Sequence, residues 1–425
     1  MVSPVSDMMA DLRQKDPEVT KAIGAELERI RSGIELIASE NFVSKAVMQA
    51  NGSVFTNKYS EGTPHHRYYG GNEYVDVIED LAVERAKKLF GAEHVNVQPL
   101  SGSPANQAAF FALLEPGDTF MGLSLAHGGH LTHGASVNFS GKLFKAIPYG
   151  VDKQTELLDY DAIRKIAREQ KPKMILSGLT AYPRKLDFKQ FSEIAAEVGA
   201  KTMSDVAHIA GLIAAGLHEN PCPVTDIVTT TTHKTLRGPR GAMIMCKKEL
   251  AEKVDKCVFP LLQGGPHDHT TAAKAVAFGE ALQPEFKDYA KQVVKNAKAL
   301  GDELMARGLR LVTGGTDNHL LLVDLTPKGI SGKQAEIALG EVHIYVNKNM
   351  IPFDPRKPMD PSGIRVGTPA ATTRGFTESD MKVVGECIAR TVENPGDASV
   401  KEKIRADIAE LCRQHPLYPG LEILS

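Results

Sequence analysis

Between about Tyr74 and Lys248 the chain alternates helical periodicity with short apolar runs, and this alternation restricts the fold more than any other feature. VDVIEDLAVERAKKLF (Val75–Phe90) is amphipathic and stops at Gly91. Strands are expected at HVNVQPL (His94–Leu100), TFMGLSL (Thr119–Leu125), LFKAIPY (Leu143–Tyr149) and KMILSG (Lys173–Gly178). KTMSDV (Lys201–Val206), DIVTTTTH (Asp226–His233) and GAMIMCK (Gly241–Lys247) continue the series. Helices are expected from Ser103-Pro104 onward, over Tyr160–Gln170 and over Phe188–Val198. Short apolar strands separated by helices require a mostly parallel sheet covered on both faces. Ligands of such sheets bind beyond the carboxyl ends of the strands.

The expected class is α/β, with a large domain over 41–286. After about Phe286 the pattern changes. A long charged helix (Tyr289–Arg307), LRLV (Leu309–Val312), HLLLVDL (His319–Leu325) and two closing helices predict a smaller α+β domain over 287–425. At the other end, residues 1–16 read as a loose arm. Asp16 then caps a helix with Pro17 at its first position and Val19, Ile23, Leu27 and Ile30 on one face. Gly33 ends it and IELIASENF (Ile34–Phe42) follows as an extended segment, giving an N-terminal unit over 1–40.

Composition narrows the function classes. The 425 residues are 42% apolar, which suits two or three packed units. Fifty basic and fifty-two acidic residues give a net charge of −2 without a polybasic block, so neither nucleic acid nor a membrane is an expected partner. No run nears the roughly 20 apolar residues of a membrane span. Charged residues from Asp7 to Asp16 precede any apolar run, so no signal peptide is expected. Five scattered cysteines without CxxC spacing suggest neither a disulfide framework nor zinc, and a reducing, cytoplasmic setting fits them.

VTTTTHKTLRGPRGA (Val228–Ala242) runs a buried strand into Lys234. Poor solvation there favours the neutral, nucleophilic amine that a Schiff-base lysine needs. A lone lysine in this place ordinarily just caps a strand. Upstream, SDVAHIAGLIAAG (Ser204–Gly216) puts Asp205 at another strand end, with His208 three residues on. A carboxylate beside a pyridine nitrogen keeps it protonated and the ring an electron sink. Asp205 taken singly reads more readily as a helix cap. Together, an acid and a lysine at two strand ends suit pyridoxal 5'-phosphate.

SGSPANQAAF (Ser101–Phe110) offers Ser101, Gly102 and Ser103 ahead of a helix, where backbone N–H groups can hold a phosphate; an ordinary capped helix is the alternative. QGGP (Gln263–Pro266) is a second glycine turn that could approach an anion. LAHGGHLTHG (Leu125–Gly134) spaces His127, His130 and His133 regularly, but its glycines argue against a helix aiming them at one metal ion. No metal is expected, and a flat imidazole stacked on a ring is the better role for one of them. NKYSEGTPHHRYYGGNEYVD (Asn57–Asp76) crowds Tyr59, Glu61, Tyr68 and Tyr69 into one loop, with Glu61 a candidate general acid–base. SGIRVGTPA (Ser362–Ala370) sets Arg365 in an apolar strand, a two-point fork for a carboxylate or one half of an internal ion pair.

These motifs, with VNKN (Val346–Asn349), resemble the serine hydroxymethyltransferase family from about Pro17 onward. The resemblance implies a fold-type I pyridoxal-phosphate transferase that interconverts serine and glycine with tetrahydrofolate as co-substrate. It implies a homodimer with shared sites, with a tetramer as the larger alternative. Lys234 would be the imine lysine, Asp205 would meet the ring nitrogen and His130 would stack on the ring. Ser101, Gly102 and Ser103 would hold the phosphate, with Tyr59, Gly264 and Gly265 from the partner chain. Thr180, His208 and His233 would surround the ring. Ser39, Tyr69 and Arg365 would contact the amino acid. Glu61, Leu125, Gly129, Leu131 and Asn349 would meet the folate. Lys234, Glu61, Asp205, His233, Thr231 and Tyr69 form the catalytic set. Departures from the family pattern fall at Thr63–His66, Phe259–His269 and Lys357–Met359, toward the subunit interface and folate rim. A folate-independent aldolase of β-hydroxy amino acids, an α-methylserine transferase and a non-catalytic scaffold are the rivals. Intact Lys234, Asp205, Arg365 and Glu61 speak against the scaffold.

Overall fold

A computed structural model describes residues 11–421. Its main sheet has seven strands: β1 (His94–Asn96), β2 (Thr119–Leu123), β3 (Lys145–Tyr149), β4 (Met174–Gly178), β5 (Lys201–Asp205), β6 (Ile227–Thr231) and β7 (Ala242–Cys246). Their spatial order is β1-β7-β6-β5-β4-β2-β3. Only β7 runs against the others, pairing antiparallel with β6 and β1. Strands β4, β6 and β7 are buried along their whole length, as central strands covered on both faces must be. The expected α/β class is observed.

Helices Tyr160–Gln170 and Phe188–Val198 match their expected bounds. Aspartates cap both: Asp159 accepts from Asp161 and Ala162 N–H, and Asp187 from Gln190 N–H. Strand β1 is shorter than expected. Past Asn96 the Val97 and Pro99 carbonyls accept from the buried Lys274 ammonium, at 2.6 and 3.1 Å, and Pro99 O also accepts from Ala242 N–H of β7 at 3.2 Å. The same Nζ donates to Ala242 O at 2.9 Å, fastening the segment that leads to Ser101 against β7.

The second sheet contains β8 (Arg310–Leu311), β9 (Leu320–Asp324), β10 (Asn347–Asn349) and β11 (Gly363–Gly367), antiparallel in the order β8-β9-β11-β10. Helix Pro284–Ala306 joins the two halves. Its Phe286, Tyr289, Ala290 and Val293 pack into the core around the large sheet, whereas Leu300 and Leu304 enter the core under the small one. It starts five residues before its expected first residue, because Pro284 takes the first helical position.

The amino-terminal region departs further from expectation. Residues 11–15 are helical, not a loose arm; residues 1–10 of that arm lie outside the described residues. Asp16 does cap Pro17–Ser32, accepting from Val19 N–H at 3.0 Å. The face turned inward is Thr20, Gly24 and Leu27, while Val19 and Ile23 stay 46% and 38% exposed. The helix also meets helix Ala398–Gln414, which supplies Ile404 and Ile408 to the small-sheet core. Ile34–Glu35 then pairs in parallel with Ile344–Tyr345. Gly367 N–H donates to Leu36 O at 2.7 Å, and a Cβ on Gly367 would lie 2.6 Å from Ala38. That close approach seats Ser39 beside β11. Among the described residues, no helix is long and apolar enough to cross a membrane.

Candidate active site

Asp205 and Thr231 are the last residues of the adjacent parallel strands β5 and β6, and Lys234 lies in the turn after β6. Two motifs distant in sequence meet here because Gly211 has no side chain. A Cβ at Gly211 would stand 2.2 Å from Thr235 O, so only glycine lets the turn after Lys234 lie on the helix after His208. Thr235 Oγ1 closes the junction, donating to His208 O and accepting from Gly211 N–H.

The strand ends open on a cavity of about 280 Å³. Lys234, Asp205, Thr231 and His233 line it from the β5–β6 side. Ser101, Gly102 and Ser103 form another wall, and His130, Thr180 and Ser39 complete it. A wider cleft of about 610 Å³ shares Ser39, His233 and Arg240 with it.

Lys234 is buried, and desolvation pulls its pKa down from 10.5 to about 8 against the opposing charge of Asp205. Burial alone would raise the Asp205 pKa. A hydrogen bond from His133, with the nearby His130 and a bond from Asn106, outweighs burial and holds the carboxyl below its usual range. Asp205 Oδ2 accepts from Asn106 Nδ2 at 2.8 Å and faces His133 Nε2 at 3.3 Å; Oδ1 accepts from Ala207 N–H at 3.0 Å. The His130 N–H donates to His133 Nδ1, which leaves the His133 proton on Nε2, pointing at the carboxylate.

Asn106 joins the acid to the imidazole opposite. Its Nδ2 also donates to Thr132 Oγ1 at 2.8 Å, and Thr132 Oγ1 lies 2.8 Å from His130 Nδ1. Thr229 Oγ1 donates to Asn106 Oδ1 at 2.6 Å, so every polar atom of this side chain is engaged. Burial lowers the His130 pKa to about 4 and that of His233 to about 3, so both are neutral near pH 7. His127 turns elsewhere, accepting from Val151 N–H and packing on Phe353 with ring centroids 4.6 Å apart. Among the described residues no group of three or more potential ligands could hold a metal ion.

Arg365, on β11, reaches the cavity wall through Thr180 and Ser39. Its Nη1 donates to Thr180 O at 2.8 Å and its Nη2 to Ser39 Oγ at 3.4 Å. Asn347, directly across the strand pair, accepts from Nε at 3.0 Å. The side chain is only 6% exposed, and no carboxylate pairs with it among the described residues. Desolvation lowers its pKa to about 10. A buried guanidinium without a counter-ion is costly unless a ligand supplies the negative charge.

A second group of expected site residues gathers elsewhere. Tyr59 OH donates to Glu61 Oε1 at 3.0 Å, and the Tyr59 and Tyr69 rings meet edge-on at 5.3 Å. The Gly264-Gly265 turn lies against them, with the Tyr59 ring 3.4 Å from where a Cβ on Gly265 would stand. None of these five lines the Lys234 cavity, and Tyr59 and Tyr69 are 56% and 51% exposed. Buried Arg67 pins this loop, pairing with Asp76 at 2.9 Å and Glu79 at 2.7 Å and donating to Ser60 O and Gly62 O. Leu125 and Leu131 are nearly half exposed on the two turns flanking Gly129. Asn349 lies on the edge strand β10, its side chain donating to Met350 O.

Four participants were not singled out from the sequence. Asn106 is a buried amide in an otherwise small and apolar helix, a detectable signal; Thr132, Asn347 and His319, described below, carry none.

The cavity fits pyridoxal 5'-phosphate. Helix Gly102–Leu113 begins at its wall, and Ser101 makes no side-chain cap bond, so first-turn N–H groups are free for a phosphate. A Cβ on Gly102 would lie 2.8 Å from Thr231 Cγ2, so backbone, not side chain, faces that space. The buried His233 Nδ1 has no partner, and a buried acid stands across from a buried amine. The family model described as serine hydroxymethyltransferase matches residues 12–388 of the 425. A buried amine and an ionised acid lining one cavity, with a guanidinium bonded to its wall, agree with that match, and the chain belongs to the serine hydroxymethyltransferase family of pyridoxal-phosphate-dependent transferases.

Proposed function

We propose that the protein moves the hydroxymethyl carbon of L-serine to tetrahydrofolate, yielding glycine, 5,10-methylenetetrahydrofolate and water. The observation that carries this reading is Arg365: a buried cation without a counter-ion among the described residues, bonded to Thr180 and Ser39 in the wall of the Lys234 cavity. An amino-acid carboxylate supplies the missing charge in two-point fashion.

In this reading Lys234 holds the cofactor's aldehyde carbon, Asp205 faces its ring nitrogen and His130 its ring. Ser101, Gly102 and Ser103 hold the phosphate, and Thr180, His208 and His233 surround the ring. The cofactor, when bound, supplies an electron sink for a bond broken at the amino acid's α carbon. Arg365 and Ser39 fix the carboxylate, which restricts rotation about the α carbon and selects the bond that breaks. Neutral His233 and Thr231 flank Lys234 without adding charge beside its amine. Glu61 manages the proton of the serine hydroxyl, with Tyr69 near it. Leu125, Gly129, Leu131 and Asn349 contact the folate.

Tyr59, Glu61, Tyr69 and the Gly264-Gly265 turn serve the cavity of a partner subunit, so the working unit is a homodimer. The exposure of Tyr59 and Tyr69 and the absence of all five from the lining of their own cavity support this arrangement. Five free buried cysteines suit a reducing compartment such as the cytoplasm.

The test is glycine formation from serine with and without tetrahydrofolate. Strong dependence on the folate is expected. Equal rates would reassign the protein as a folate-independent aldolase, and formaldehyde release from α-methylserine in preference to serine would change the substrate.

A further inference from the structure

His208 and His319 form a fully buried pair behind the cavity. Their rings stack at 26° with centroids 5.4 Å apart, and His208 Nδ1 lies 3.2 Å from His319 Nε2. One proton sits between those nitrogens, and Arg365 decides which ring owns it. A guanidinium only donates, and its Nη1 lies 3.4 Å from His208 Nε2, so Nε2 must be bare. A neutral His208 then carries its proton on Nδ1 and donates it to His319 Nε2. His319, also neutral, is left with its own proton on Nδ1. That atom has no hydrogen-bond partner among the described residues, although the Ala38 backbone favours a protonated ring. Burial supports both neutral forms, lowering the His319 pKa to about 3 and that of His208 well below its ordinary value.

Donation thus runs from Arg365 to His208 to His319. We propose that His319 is a positioning residue for amino-acid binding: it fixes the tautomer of His208, and through it the aim of Arg365 and the seat of Ser39. The inference rests on the reading of Arg365 as the carboxylate-binding group. Without an acceptor at position 319, His208 gains nothing by keeping its proton on Nδ1. In its other tautomer it would present N–H to N–H at Arg365 and push the guanidinium away. His319 lines neither the Lys234 cavity nor the wider cleft beside it, so it acts on the site through these neighbours.

Glycine affinity of the cofactor-loaded full-length protein, measured by titration calorimetry, tests this in wild type, His319→Leu and His319→Gln. His319→Leu should weaken glycine binding about 10-fold or more, the effect of one hydrogen bond to a charged group, with cofactor content unchanged. Glutamine places an acceptor and a donor across one carbon as the ring does, and should restore most of the loss. Wild-type affinity in His319→Leu overturns the proposal; so does a His319→Gln variant as weak as His319→Leu, which would assign the effect to packing. Arg365→Leu separates the layers. If it leaves glycine affinity intact, the reading of Arg365 itself fails; if it abolishes binding while His319→Leu keeps wild-type affinity, only the positioning role fails. Long-range 1H–15N spectra of the histidine-labelled wild type need no variant to fold. They should show His208 protonated at Nδ1, and a proton on Nε2 would overturn the assignment.

Discussion

At the scale of single residues, burial sets the chemistry. Lys234 loses affinity for its proton because water cannot reach it, and its pKa of about 8 leaves a useful fraction of free amine near neutrality. Between pH 8 and 10.5 the unfolded chain still binds a proton that the folded chain has released. Folded stability therefore rises with pH across that window, and the sign is positive because the unfolded state binds more protons. Lys234→Met removes this contribution. The stability of wild type relative to Lys234→Met, from urea melts of the two apoproteins, should rise between pH 8 and 10.5 and stay level below pH 8. Asn106 makes the opposite kind of contribution. It satisfies Thr132, Asp205 and Thr229 at once, so Asn106→Ala strands buried partners and should cost about 2 kcal/mol in a urea melt. An unchanged melt would remove it from the network.

At the scale of elements, the site depends on backbones approaching where side chains are missing. Gly102 lets the first turn of its helix lie on the end of β6. Gly102→Ala drives a methyl into Thr231, and overpacking of about 1–2 kcal/mol should weaken cofactor binding about 10-fold in a fluorescence titration. Adding Thr231→Ser removes the opposing methyl and should recover much of that loss; no recovery would place the effect in backbone conformation instead. The same contacts explain what could be read from the chain. Helices Tyr160–Gln170 and Phe188–Val198 were legible to the residue because aspartate caps, periodicity and length agree locally. Lys234 and Asp205 were legible because strand ends face the ligand side of a parallel sheet. The Asn106 hub was not: its partners Thr132 and Asp205 are 26 and 99 positions away, and only folding unites them. Nor was the inward face of Pro17–Ser32, where Thr20 and Gly24 are buried while the apolar Val19 and Ile23 stay exposed. The sequence marked Arg365 as a cation in an apolar strand, but the missing counter-ion is a property of the fold.

At the scale of the whole molecule, the expected site divides into two clusters, one around Lys234 and one around Tyr59 and Glu61. The proposed union of the two across a homodimer makes a direct prediction. Lys234→Ala and Glu61→Gln are each expected to be inactive, yet subunits exchanged at random between them should regain about one quarter of the wild-type sites. A mixture as inactive as its parts would return both clusters to one chain. The central claim is narrower: the amine of Lys234 is the attachment point of pyridoxal 5'-phosphate. Borohydride reduction of the cofactor-loaded protein, followed by digestion and mass spectrometry, reads that attachment site directly. The account predicts a reduced pyridoxyl adduct on the peptide carrying Lys234 and its loss in Lys234→Ala. An adduct on another lysine, such as the buried Lys274, or no adduct at all, would contradict it.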